Sequence, residues 1–191
     1  MWRYDRIYVG PSAGGLEHLV SQLLPAVRAL PSLDAWFFLR YIDEEGLHLR
    51  LRTRGVDPDT LDREVQPVLT AALEGLVGCP QPWYRPTIAL QVPQGPAADR
   101  VQLITQRGYE REVARYGRQG IRAAERLFQR SSDVAVDTIL AERRGELSRK
   151  TLVPALMQLT ATAFGIEDAA GFWRSYASHW LRVSRVAAEC T

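Results

Sequence analysis

A short run of alternating polar and apolar residues, His48–Arg52, contains side chains well suited to bind an anion. Successive side chains of a β-strand point to opposite faces, so the histidine and the two arginines share one face of the strand. Leu49 and Leu51 then occupy the other face. Such a row of guanidinium groups could hold a carboxylate through paired hydrogen bonds. The same row could also be the solvent-facing side of an ordinary sheet.

Two further patches contain residues that could assist chemistry. The first, Tyr109–Gly117, alternates acidic and basic side chains and includes Arg115. This alternation is also common on an edge strand whose charges pair with each other. The second patch, Ser178–Arg182, contains His179. A histidine titrates near neutral pH and could transfer a proton, although a single histidine near a C-terminal helix is more often structural.

Composition limits the classes of partner. The 191 residues are 46% hydrophobic and 24% charged, which is typical of a globular domain. The formal net charge of +2 gives no electrostatic reason to expect direct binding of nucleic acid or of an anionic membrane. Lys150 is the single lysine, and asparagine is absent. A bound carboxylate would therefore meet arginine side chains.

The cysteines and histidines favour a chain without a metal or cofactor. Cys79 and Cys190 form no CxxC pair, and three histidines are too few and too scattered for a zinc site. Neither a P-loop nor a GxGxxG motif is present. Two isolated cysteines, a polar N-terminus and the lack of an apolar run of roughly 20 residues predict a cytoplasmic protein that does not enter the membrane.

The elements that position these residues follow from apolar periodicity and turn signals. Predicted strands cover residues 3–9, 36–42, 47–53, 88–92 and 101–105. Predicted helices cover residues 15–30, 57–77, 121–128, 131–140, 152–164 and 169–188, and Ser132 or Asp133 caps the fourth. The order β-α-β-β-α-β predicts an α+β fold with a ferredoxin-like core. We expect one domain over 1–191, with the core at 1–118 and a helical part at 119–191.

Several stretches occur in an order that resembles the C-terminal elimination domain of LanB-type lantibiotic and thiopeptide dehydratases, the thiopeptide-type bacteriocin biosynthesis family. In chain order they are Trp36–Asp43, His48–Arg52, Tyr109–Gly117 and Ala123–Phe128, with a serine soon after. The resemblance is clear from about Trp2 to Leu140. It is looser in the C-terminal helices, where a histidine is followed by an arginine.

This resemblance implies a lyase that acts on a ribosomal precursor peptide. A partner protein transfers glutamate from glutamyl-tRNA to serine or threonine hydroxyls, and the elimination domain removes the glutamate to leave dehydroalanine or dehydrobutyrine. The expected partners are the glutamylated precursor and that glutamylating protein. This chain itself is not expected to bind tRNA, and a homodimer is compatible with the sequence.

The resemblance also assigns the site residues. The catalytic positions are Arg50, Arg52, Arg115 and His179. Arg50 and Arg52 would bind glutamate and stabilise charge, Arg115 would do similar work from a facing element, and His179 would transfer the proton. We assign His48, Tyr109 and Arg182 to substrate binding, and we expect the four catalytic residues to converge on one cleft.

Two other functions fit the same residues. Thiopeptide pyridine synthases resemble this domain but join two dehydroalanines in a formal [4+2] cycloaddition. Alternatively, the domain could bind a precursor peptide without catalysis. The chain also departs from the family pattern, in which two glycines usually follow Arg-Tyr, because Arg118 follows Gly117 here. This difference could alter the turn, since only glycine adopts positive φ freely.

Overall fold

The protein combines four strands with six helices in the residues that the structure describes. The structure, a computed structural model, describes residues 2–9, 13–43, 46–75, 101–107 and 112–189. The elements are β1 (Trp2–Val9), α1 (Ala13–Gln22), α2 (Leu24–Arg28), β2 (Ala35–Asp43), β3 (Gly46–Arg54), α3 (Pro58–Glu74), β4 (Val101–Arg107), α4 (Val113–Arg143), α5 (Arg149–Ala163) and α6 (Ala169–Glu189). The predicted α+β class is confirmed. The strand predicted at 88–92 lies outside the described residues.

The four strands form one antiparallel sheet in the order β2-β3-β1-β4. The predicted hairpin of β2 and β3 is present, and Asp43 at the end of β2 lies opposite Gly46. On its other side β3 pairs with β1, where Arg6 lies opposite Arg50. The strand that contains the predicted anion-binding row is therefore an interior strand of the sheet.

The apolar face of β3 belongs to the main core. Leu49 and Leu51 are almost fully buried, and they join a cluster with residues of α1, α2 and α3. Burial of a leucine side chain stabilises the fold by about 1.5–3 kcal/mol, so this contact fixes which face of the strand turns inward. The alternation predicted for His48–Arg52 is confirmed, because the polar side chains lie on the opposite face.

The first helical stretch is divided, whereas a single helix was predicted over 15–30. The helix α1 ends at Gln22 and α2 begins at Leu24. Pro25 lies in the first turn of α2, where its missing N–H leaves no helical hydrogen bond unmade. The predicted start of α3 is confirmed, since the Asp57 side chain accepts a hydrogen bond of 2.8 Å from the Thr60 N–H.

The long helix α4 corrects the prediction of two separate helices at 121–128 and 131–140. A break at residue 131, with Ser132 or Asp133 as cap, was predicted, but α4 continues through this point. The Ser132 hydroxyl donates to the Phe128 carbonyl at 2.8 Å and accepts the Phe38 N–H at 3.1 Å. The Ser132 hydroxyl therefore bonds a backbone group of β2 and a carbonyl of its own helix, and it does not cap the start of a new helix.

Contacts divide the chain into two units. The described residues up to Leu140 form the first unit, and those from Ala141 onward form the second, so the boundary falls near the end of α4. In the second unit the Arg149 side chain forms an ion pair with Glu142, and the Arg149 backbone N–H donates to the same carboxylate at 3.1 Å. None of the described helices is long and apolar enough to cross a membrane.

Candidate active site

On the polar face of β3, aromatic side chains of the two neighbouring strands lie beside the histidine and arginine side chains of β3. Tyr8 of β1 lies opposite His48, and Tyr4 lies opposite Arg52. On the other side of β3, Tyr41 of β2 lies opposite His48. Side chains directly opposite in an antiparallel pair share a face and interact. The face is therefore a layer of arginines set among aromatic rings.

His48 is fully buried in this layer, between two tyrosine rings. Its ring centroid lies 4.6 Å from that of Tyr8 and 5.5 Å from that of Tyr41. Its Nε2 accepts a hydrogen bond of 3.0 Å from Arg50 Nε, and its Nδ1 lies 3.1 Å from the Gly46 carbonyl oxygen. Because an arginine can only donate, Nε2 has no proton, and the Nδ1–H donates to Gly46.

The surroundings of His48 favour this neutral form. Burial lowers the pKa of His48, and the nearby charges of Arg50 and Arg6 lower it further, against opposing effects of the Gly46 carbonyl and Asp43. The only lone pair of the neutral ring is already bonded to Arg50. His48 is thus arranged to position Arg50 rather than to accept a proton from a substrate.

Arg50 is held from two directions and remains half-buried. Its guanidinium carbon lies 3.3 Å from the centroid of the Tyr41 ring, and its Nε donates to His48. Its two terminal nitrogens make no hydrogen bond with any residue in the described part of the chain. A planar guanidinium fixed at Nε and at its face keeps a fork of donors for a carboxylate.

Asp43 supplies the negative charge of this cluster, and sequence reasoning did not identify it. The Tyr8 hydroxyl donates to Asp43 Oδ2 at 3.1 Å, and Arg6 Nη1 lies 3.7 Å from the same oxygen. His48 Nε2 also lies 3.7 Å from it. Like-charged arginines that cluster repel one another, and Asp43 places a negative charge beside Arg6. Its place at the end of β2 was the feature of the sequence that could have identified Asp43 as a site residue.

Arg52 shares the face with Arg50 but is enclosed. Its side chain is buried, and its guanidinium carbon lies 5.0 Å from the centroid of the Tyr4 ring and 5.1 Å from that of Phe37. These distances are within the range of attractive cation–π contacts. Of the two arginines, Arg50 is the more accessible to a ligand.

Arg115 lies in the first turn of α4, and its side chain is exposed. Its Nη1 is 3.6 Å from Glu112 Oε2. The neighbouring Tyr116 ring packs at 5.9 Å against Phe128, which packs at 5.3 Å against Phe37 of β2. This series of ring contacts places the turn on the same sheet face as Arg52. Tyr109 lies outside the described residues.

The backbone turns sharply just after Arg115. Gly117 has φ of 71° and ψ of 165°, a non-helical conformation within α4 that residues other than glycine rarely adopt. The first glycine position of the family pattern thus has the positive φ, and Arg118 in place of the second lies beyond this turn.

His179 and Arg182 belong to α6 of the second unit. They are one helical turn apart, and both are exposed. The structure brings together His48 and Arg50, and it links the Arg115 turn to the face that holds Arg52. The convergence of His179 with these arginines stays a prediction. Among the described residues, no group of His, Cys, Asp and Glu side chains could hold a metal ion.

Comparisons with known proteins give a family match and two structural neighbours. The family model described as lantibiotic biosynthesis dehydratase C-term matches residues 2–190. The tRNA dependent lantibiotic dehydratase MibB from Microbispora sp. 107891 is 25% identical with a TM-score of 0.49, over 74% of this chain and 12% of that chain. The pyridine synthase TbtD from thiomuracin biosynthesis is 14% identical with a TM-score of 0.43, over 98% of this chain and 70% of that chain. No curated protein matches the chain.

Proposed function

The chain belongs to the lantibiotic biosynthesis dehydratase C-terminal family, and we propose that it eliminates glutamate from glutamylated serine or threonine of a ribosomal precursor peptide. The activity would serve the biosynthesis of a lanthipeptide or thiopeptide. Its partners would be the precursor and a protein that transfers glutamate from glutamyl-tRNA. The match spans 12% of the length of MibB, and the step that glutamylates the precursor is part of this proposal.

The observation that supports elimination most directly is the setting of Arg50. Its Nε is bound to neutral His48, its face lies on Tyr41, and its terminal nitrogens make no hydrogen bond with a described residue. A glutamyl ester carries a free side-chain carboxylate, which matches that fork of donors. A guanidinium already held in place loses little conformational entropy when the ligand arrives.

The chemistry assigns a task to each proposed catalytic residue. A base removes the Cα proton, and the electrons of that bond form the Cα–Cβ double bond while the Cβ–O bond breaks. Glutamate leaves with the electron pair of that bond as a second carboxylate, and Arg50 and Arg52 bind the departing glutamate and stabilise its negative charge. Arg115 stabilises the charge that develops on the neighbouring amide oxygen, an effect of about 3–4 kcal/mol for a well-placed donor. His179 accepts the proton.

The finer description of the fold is part of the same proposal. The antiparallel strand order β2-β3-β1-β4, with α1 and α2 between β1 and β2 and α3 before β4, supports a ferredoxin-like core. The family match over residues 2–190 supports one elimination domain that includes the helical C-terminal part.

Conversion of a glutamylated peptide tests the proposed activity. Mass spectrometry should show loss of glutamate and formation of dehydroalanine or dehydrobutyrine by the purified protein. The glutamylated peptide should accumulate in the variants Arg50→Ala, Arg115→Ala and His179→Ala. Arg63→Ala is the matched control, because Arg63 is an exposed arginine of α3 that pairs with Glu64.

Three results would contradict the proposal. The first is a wild-type rate in folded Arg115→Ala and His179→Ala variants. The second is conversion of a peptide with two dehydroalanines together with no reaction of the glutamylated peptide, which would identify a pyridine synthase. The third is tight binding of the glutamylated peptide without any conversion, which would identify a binding module.

A further inference from the structure

A groove between one end of the sheet and α4 is lined largely by arginine side chains. It lies within the first unit and has a volume of about 630 Å³, in the range of ligand sites. Its charged lining consists of Arg54, Arg122, Arg126, Arg130, Asp34 and Glu125. Four guanidinium groups thus face two carboxylates. We refer to this feature as the arginine groove.

Three of these arginines form a ladder along α4. Arg122, Arg126 and Arg130 follow each other at intervals of four residues, and all three are exposed. With a helical rise of about 1.5 Å per residue, each step is about 6 Å. Like charges at this spacing destabilise a helix slightly. None of the three makes an ion pair or hydrogen bond with a residue of the described part of the chain.

The other charges of the groove do not neutralise the ladder. Arg54 Nε donates to Asp34 Oδ2 at 2.7 Å, so these two opposite charges compensate each other. Glu125 is the other carboxylate of the lining, and it is buried. Within the lining, this one carboxylate stands against three exposed guanidinium groups. The groove therefore keeps a net positive charge and exposed hydrogen-bond donors.

The spacing and the acidic members of the groove favour a peptide as its occupant. Alternate side chains of an extended peptide lie about 6.8 Å apart, close to the step of the ladder. The carboxylates of Asp34 and Glu125 oppose a continuous phosphate backbone, and the net charge of the whole chain is only +2. The amide of Gln129, also in the lining, can donate to and accept from a peptide backbone.

We propose that the arginine groove binds an acidic segment of the peptide substrate in extended conformation. Carboxylates on alternate residues of that segment would meet Arg122, Arg126 and Arg130. Arg54 lies on the same face of β3 as Arg50, four residues away, which is about 13 Å along a strand. A peptide held in the groove can therefore reach Arg50 within a few residues. Only the identity of the peptide as substrate depends on the proposed function.

Binding can be measured without any catalytic assay. The probe is a fluorescein-labelled peptide that alternates Glu and Ser, and its matched control alternates Gln and Ser. Fluorescence anisotropy should show that Arg122→Gln, Arg126→Gln or Arg130→Gln each weakens binding by about 2- to 5-fold, and the triple variant by roughly 10- to 100-fold. Arg63→Gln, which removes an exposed arginine of α3, should leave the affinity unchanged.

Charge reversal protects the test against a folding artefact. The Arg126→Glu variant should bind the Glu-Ser peptide more weakly than the wild type does. It should bind a peptide that alternates Arg and Ser more tightly. The inference is overturned if the triple variant binds the Glu-Ser peptide as tightly as the wild type, or if the Gln-Ser peptide binds equally well. It is also overturned if an RNA duplex of equal charge binds more tightly than the peptide and loses that affinity in the triple variant.

Kinetics separate this inference from the proposed function. For a glutamylated peptide with an acidic segment, the triple variant should raise KM by roughly 10- to 100-fold with kcat unchanged. For a glutamylated peptide without that segment, KM should not change. If neither peptide is converted, the proposed function fails, whereas the anisotropy measurements still decide whether the groove binds an acidic peptide.

Discussion

Replacement of His48 tests whether this buried neutral ring holds Arg50 in place. His48→Ala removes the acceptor for Arg50 Nε and the donor to the Gly46 carbonyl. A hydrogen bond to a charged group contributes about 1.5–3 kcal/mol and a neutral one about 0.5–1.5 kcal/mol, so the free energy of unfolding should fall by about 2–4 kcal/mol. His48→Gln keeps an acceptor within reach of Arg50 and should lose about half as much.

His48 should also make the free energy of unfolding depend on pH, and the surroundings of its ring set the direction of that dependence. Burial lowers the pKa of His48 below its ordinary value of 6.5, so the unfolded chain binds the proton first as the pH falls. The stabilisation from neutral His48 is therefore complete above the unfolded pKa and is lost progressively as the pH falls below it. His48→Gln does not titrate, so its free energy of unfolding should vary less between about pH 7 and 5.

Urea unfolding followed by tryptophan fluorescence measures both effects. Trp2 and Trp36 are buried in the sheet unit and report its unfolding. The KM for a glutamylated peptide should also rise in His48→Ala more than in His48→Gln, because Arg50 loses its anchor. The reasoning is refuted if His48→Gln keeps the wild-type pH dependence, or if His48→Ala is as stable as the wild type.

Two other predictions concern α4, and the same urea measurements check both. Ser132→Ala leaves the Phe38 N–H without its partner and should cost about 1–3 kcal/mol, whereas exposed Ser131→Ala should stay within about 0.5 kcal/mol. Equal effects of the two substitutions would contradict the role of Ser132. Gly117→Ala forces a side chain into positive φ and should cost about 1–3 kcal/mol. Gly120→Ala should instead stabilise the helix by about 0.5–1 kcal/mol, since its Cβ would have ordinary contact with its nearest neighbour at 3.8 Å. If Gly120→Ala were the more destabilising of the two glycine substitutions, the turn at Gly117 would be absent.

Local patterns in the sequence determined the strand that holds the polar row. Strict alternation in His48–Arg52 predicts both faces of β3, because the side-chain period of a strand is two and leucines strongly favour the core. The pairing of β2 with β3 and the cap at Asp57 were likewise predictable, since both depend on residues that are close in the sequence. The assignment of site roles came from the resemblance to a family, and the family itself is confirmed.

Tertiary structure decided the features that depend on distant partners. Ser132 resembles a helix cap in sequence, but its hydroxyl satisfies Phe38, which is 94 residues away, so the helix continues. His48 is neutral because Tyr8 and Tyr41 bury it and Arg50 occupies its lone pair. The ladder of three arginines on α4 is visible in the sequence, but only packing places it opposite Arg54. Protonation and binding depend on burial and on neighbouring charges, and both are set by residues that are far apart in the chain.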